Sequence, residues 1–138
     1  MEIAFFLTAD YANLTGDGKI NIMGIFNRIT ATQFPARHPS LFVIAKLLAG
    51  LGEEGQTRDV HIYLHDPDGK KLLNIGGEMS FPERILGQKP EINVIANLRD
   101  VVFPVPGPYQ FNLFVDRDHK SQFSLSVEIS SPLGPSEK

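Results

Sequence analysis

His61, Tyr63 and His65 occupy alternate positions of the stretch 58–66, and side chains two apart on an extended chain share a face. Two imidazoles and a phenol on one surface have the chemistry of a zinc centre or of a polar-aromatic ligand face. The zinc reading fails on reach. At about 3.3 Å per residue the two histidines stand about 13 Å apart on a straight strand. Zinc holds its ligands at about 2.1 Å, so one ion cannot serve both. What remains is a weak ligand-face candidate, set against the plainer reading of a solvated strand face.

Clustered carboxylates raise calcium next. Asp66-Pro67-Asp68 and Asp116-Arg117-Asp118 are both Asp-x-Asp turns, and calcium favours such oxygen donors. If the strands from residue 41 onward alternate in direction, the two turns fall at opposite ends of the molecule. Turn chemistry accounts for each alone. For hydrolysis, Gly-x-Ser-x-Gly, His-Glu-x-x-His and a Walker loop are all missing from the sequence. Gly16-Asp17-Gly18-Lys19 is too short to cradle a phosphate and reads as a strand-joining turn. No catalytic residue, metal or cofactor is expected. A hydrolase without a motif would need a concave pocket holding a perturbed acid or histidine.

The rest of the composition limits partners. The 13 Lys and Arg are scattered singly and the net charge is −3, which disfavours a nucleic-acid partner and an anionic membrane surface. With no cysteine, disulfides and thiolate metal sites are excluded. Met1–Leu7 is apolar but lacks a basic flank, and no run approaches the roughly 20 apolar residues of a membrane helix. The expected setting is cytoplasmic.

Strands must position these groups, and period-two alternation finds them. Val60, Ile62 and Leu64 face inward opposite His61, Tyr63 and His65. Ile92, Val94, Ala96 and Leu98 form a second inward row. Tyr109, Phe111, Leu113 and Val115 form a third, and Phe123, Leu125, Val127 and Ile129 a fourth. Such rows mark antiparallel strands with one wet face. Asp66-Pro67-Asp68-Gly69 suits a type I turn leading to a strand over about 70–81, and Arg117-Asp118 is a tight link. Gly76-Gly77 marks a bulge or a close backbone approach.

Earlier strands are expected at about 3–8, 20–33 and 41–48. Within 20–33 both faces are apolar: Ile20, Ile22 and Phe26 on one, Met23 and Ile25 on the other. That predicts a strand covered on both sides, or one that bends between sheets at Gly24. The segment Arg99–Tyr109 carries three prolines and is expected as an extended crossing, not a central strand. Pro82–Pro90 has room for one helical turn.

The fold class is therefore all-β: a two-layer antiparallel β-sandwich of about seven to nine strands. It forms one domain over 1–129, with 130–138 as a flexible tail. Tyr109, two residues after Gly107, resembles the tyrosine corner of immunoglobulin-like sandwiches, and Phe111 takes the place of their cysteine. That likeness concerns architecture only.

Ala9-Asp10-Tyr11-Ala12-Asn13, then Asp17-Gly18-Lys19-Ile20-Asn21-Ile22-Met23-Gly24-Ile25-Phe26-Asn27-Arg28-Ile29, resemble the opening of a family of small uncharacterised bacterial proteins. Their openings read ADYAN and DGKLNIIGIFDRI. Their later stretch VFPxPGxYxF is similar to Val102–Phe111. The resemblance implies the same fold and a bacterial cytoplasm, and it brings no activity.

Five apolar residues, Phe6, Phe42, Ile44, Ile95 and Phe114, fall on expected outer faces and form the candidate interaction surface if they cluster. With no catalytic set in view, the expected function is a non-enzymatic module for contact with a protein partner or a second copy. The alternative is a small-ligand module for glycan or calcium, and an unrecognised hydrolase comes third.

Overall fold

The structure is a computed structural model that describes residues 1–83 and 89–130. Among the described residues it holds nine strands and no helix: β1 (Glu2–Leu14), β2 (Ile20–Phe26), β3 (Arg28–Ala31), β4 (Ala36–Leu48), β5 (Thr57–His65), β6 (Lys71–Ser80), β7 (Glu91–Phe103), β8 (Gly107–Val115) and β9 (Asp118–Ile129). They form two sheets of order β2-β1-β4-β7 and β3-β9-β8-β5-β6. All neighbours are antiparallel except β3 and β9, which run parallel. The expected β-sandwich is the observed fold, and no helix among the described residues is long and apolar enough to cross a membrane.

The core lies where the two sheets face each other. Leu41, Val43, Ala45 and Leu47 of β4 and Ile92 and Val94 of β7 meet Val60, Ile62 and Leu64 of β5 and the inward row of β8. Burying a side chain of this size is worth about 1.5–3 kcal/mol. The four inward rows sit as their alternation predicts, apart from Ile129, which is exposed at the end of β9.

Several local details differ from expectation. The apolar stretch 20–33 is two strands, and the chain changes sheet at Asn27, not Gly24. The crossing expected over Arg99–Tyr109 is shorter, because β7 continues to Phe103 opposite Ala36. An edge strand needs partners on one side only, so the ladder runs up to Pro104 before proline stops it. The tight link between the last strands is Asp116-Arg117, one residue earlier than expected. Both residues have positive φ (50° and 72°), as a two-residue hairpin turn requires. Asp66–Gly69 forms the expected turn, with Gly69 N–H donating to Asp66 O at 2.9 Å. The register past Gly76 is unbroken, so of the two readings there the close approach holds: a side chain would collide with the Val60 carbonyl. Of the tail, Ser130 is tied by its N–H to Ala31 O at 2.8 Å, and 131–138 lie outside the described residues. So does 84–88, most of the segment with room for a helical turn.

One feature of the first sheet decides what its outer face can do. β1 pairs with β4 from Glu2 opposite Leu48 to Ala9 opposite Phe42, a course that leads away from Leu48. Yet Asp17 and Gly18, at the tip of the β1–β2 hairpin, line one concavity with Leu48, Glu91 and Asn93. The distal half of the hairpin therefore curls back over the outer face of its own sheet. It bends where Gly24, at a φ of +70° that L side chains rarely adopt, faces the Asp10 carboxylate closely. Ala12, Ile20 and Ile22 then pack with Ala9, Phe42, Ile44 and Ile95 as a second, smaller core.

Candidate functional site

The five residues of the expected interaction surface do not form one patch. Phe6 lies on the inner face against the main core, edge-on to Phe123 at 4.8 Å. Ile44 has no exposure at all, and Phe42 and Ile95 are half-buried beside it. For these three the cause is the curled hairpin, which covers a face that alternation alone marks as outer; Phe6 turns inward because the β1 register slips between Ile3 and Phe5. Only Phe114 remains on an outer surface, and it belongs to the other sheet.

The uncovered apolar surface lies on the hairpin itself. Tyr11 pairs with Met23 across the two strands, its ring also meeting Phe42 edge to face at 5.2 Å, and Ile25 lies two residues on, opposite Ala9. They are 47%, 64% and 63% exposed. The opposite face of the hairpin, carrying Ala12, Ile20 and Ile22, is the one packed down. Sequence alternation separates these two sets correctly. It cannot show which of them a partner element covers, and none of Tyr11, Met23 and Ile25 is part of the expected surface.

His61, Tyr63 and His65 do share the outer face of β5, and Phe114 joins them from β8 with its ring 5.4 Å from Tyr63. Asp59 and Asn74 hold the His61 ring at 2.9 and 3.0 Å. Lys71 places its ammonium 3.8 Å over the Tyr63 ring, a favourable cation–π contact. Asn112, on β8 and only 8% exposed, sits between two histidines. Its Nδ2 meets His65 Nδ1 at 2.9 Å, and its Oδ1 meets His119 Nε2 at 2.9 Å. His119 and Asn112 were not among the expected site residues. The polar row of β8 places Asn112 on this face, but nothing local in the sequence brings His119 to it.

An open groove of about 570 Å³ runs along this region, lined by His65, Pro67, Gln110, Asn112, Phe114 and His119 among others. Its far end is closely packed. Gly107 packs so tightly on Pro67 that a side chain there would come within 2.9 Å of the proline ring. Tyr109 is fully buried beneath, where burial pushes its phenol pKa up and keeps it a donor.

The two Asp turns lie at opposite ends of β5. Asp66 Oδ1 accepts from the N–H of Asp68 and Lys70 within its own turn. Asp116 accepts from Asp59 N–H and pairs with Arg58. Among the described residues, no three His, Asp or Glu side chains gather into a metal-binding group.

Fold and surface together define an all-β sandwich with one sheet face partly covered by its own hairpin and the other polar and aromatic. Residues 4–128 match DUF6941, a family of unknown function, and the chain belongs to that family. No curated protein matches it.

Proposed function

We propose that the protein is a non-enzymatic β-sandwich used for protein contact, with self-association as its first form and the outward face of the β1–β2 hairpin as the contact surface. The observation that carries this reading is the unequal cover of one strand. β2 has the two-sided apolar pattern of a strand buried on both faces, but the structure covers one face only and leaves Met23 and Ile25 in water. A second layer from outside the chain would complete the pattern. The immunoglobulin-like reading is part of the same proposal. β9, β8, β5 and β6 follow the order G, F, C, C′, and β4 and β7 stand where B and E do. Light scattering over a wide concentration range tests the contact reading. A mass rising toward the dimer, or a specific partner bound through this face, supports it. A strict monomer with no partner engaging Met23 or Ile25 overturns it.

A small-ligand module is the second reading, favoured by the groove beside Asn112. Its glycan and calcium forms are weakened by particular contacts. Lys71 lies over the Tyr63 ring that a sugar would stack on, and Asp66 and Asp116 are engaged in their own turns. A thermal-shift series with calcium and simple glycans decides this, since a ligand that binds only the folded state raises the melting temperature.

A further inference from the structure

The groove on the five-stranded sheet has a hydrogen-bonding polarity fixed by Asn112. An amide nitrogen only donates. Asn112 Nδ2 donates to Gln110 Oε1 at 3.4 Å as well as to His65 Nδ1, so His65 Nδ1 is the bare, accepting nitrogen. The proton of neutral His65 is then on Nε2. On the other side the Asn112 oxygen only accepts, so His119 donates through Nε2 and its Nδ1 is bare. Among the described residues no hydrogen bond engages His65 Nε2 or His119 Nδ1, so one buried amide leaves two residues that line the groove with a donor on His65 and an acceptor on His119. The edge of Phe114 lies close to His119, with ring centroids 5.1 Å apart, and Pro67 forms an apolar wall.

We propose that this groove binds an extended peptide segment by its backbone. A peptide carbonyl accepts from His65 Nε2–H, a backbone N–H of a neighbouring residue donates to His119 Nδ1, and an apolar side chain between them rests against Phe114. The two rings are held by the opposite ends of one side-chain amide, so a ligand that meets both must present an acceptor and a donor, as a peptide backbone does. A carboxylate or phosphate satisfies only the His65 half, because neither can donate to His119. The site is separate from the hairpin face and stands whether or not the protein self-associates.

The test uses the full ¹⁵N-labelled chain at pH 8. Long-range ¹H–¹⁵N spectra of the histidine rings should show Nε2–H on both His65 and His119. Titration with N-acetyl-Ala-Leu-Ala-amide should then shift the ring nitrogens of both residues and the Asn112 side-chain amide. The same peptide with N-methylated backbone nitrogens should bind at least tenfold more weakly. Asn112→Leu should keep the fold, judged by its backbone spectrum, and lose the discrimination between the two peptides. The Nδ1–H form at His65, equal response to both peptides, or no ring shift at tens of millimolar peptide would each overturn the proposal.

Discussion

The Tyr109 phenol reaches back four residues to the crossing between the sheets: it donates to Val105 O at 2.6 Å and accepts from Val105 N–H at 3.2 Å. The ring is fully buried and meets Phe103, the last residue of β7, edge to face at 5.0 Å. One side chain thus fixes the end of one sheet to the start of a central strand in the other.

Tyr109→Phe keeps the packing and removes both hydrogen bonds. A net hydrogen bond is worth about 1 kcal/mol, and stranding a part-buried backbone group adds to the loss. The expected cost is about 1–2 kcal/mol in urea unfolding with an unchanged m-value. A loss below about 0.3 kcal/mol would mean that the crossing is held by packing alone.

Gly76 faces the backbone of the neighbouring strand β5, where an added methyl would overlap Val60 O and lie 2.9 Å from His61 Cα. Its φ of +144° disfavours an L side chain as well. Gly76→Ala should therefore cost more than about 2 kcal/mol. Gly16→Ala, with nothing within 4 Å of the added methyl, should be near neutral. Equal midpoints for the two variants would refute the close-approach reading.

The Glu53 carboxyl meets the Met1 ammonium at 2.9 Å, Arg58 at 3.0 Å and Gly50 N–H at 2.5 Å. Led by the ammonium, and against the opposing effect of burial, these contacts lower its pKa from 4.5 to about 2. The folded state then binds this proton less readily than the unfolded state. Its contribution is complete above about pH 4.5 and is lost as pH falls through about 2. The shift corresponds to at most about 3 kcal/mol. Glu53→Gln should be less stable than the parent at pH 7, with the gap closing by about pH 2. A gap that stays constant from pH 7 to pH 2.5 in denaturant midpoints would rule out the ion pairs as its source.

Alternation made the sandwich legible because β5, β8 and most of β9 each put one face on the main core and the other toward water. The same rule misplaced Ile44, whose pattern is that of an outer residue and whose burial comes from a hairpin curling back from residues 10–24. Curvature of that kind is set by the bend at Asp10 and Gly24 and by long-range packing, which a period of two does not encode. Asn112 read as one more polar residue in a wet row. Its place between His65 and His119 depends on the pairing of β8 with both β5 and β9, a non-local fact. The turn at Asp66–Gly69 was readable because proline fixes φ and glycine admits a positive φ (Gly69 at 87°), whereas Asp116 and Arg117 adopt positive φ under the demand of the hairpin.

Ile44 gives a direct test of the curled hairpin. If the hairpin covers it as a second core, Ile44→Ala leaves a cavity and costs about 2–4 kcal/mol. An isoleucine on an uncovered strand face would lose well under 1 kcal/mol. Hydrogen exchange adds a second readout: the variant should speed exchange at the β1–β2 backbone while leaving β5 and β8 protected. A neutral substitution would place the hairpin off the sheet.

Met23 and Ile25 separate contact from folding. Both are more than 60% exposed, so a charge at either position meets water in the monomer and the cost to stability should be within about 0.5 kcal/mol. In an apolar contact the same charge is buried without a partner, which costs several kcal/mol. Met23→Asp should therefore weaken self-association or partner binding at least a hundredfold in sedimentation equilibrium, with little change in the urea midpoint. Asn21→Asp, on the same face but in a polar pair with Asn13 at 3.0 Å, should have a much smaller effect. If Met23→Asp unfolds the chain instead, the residue belongs to the folded core; if it leaves association unchanged, the contact uses another surface.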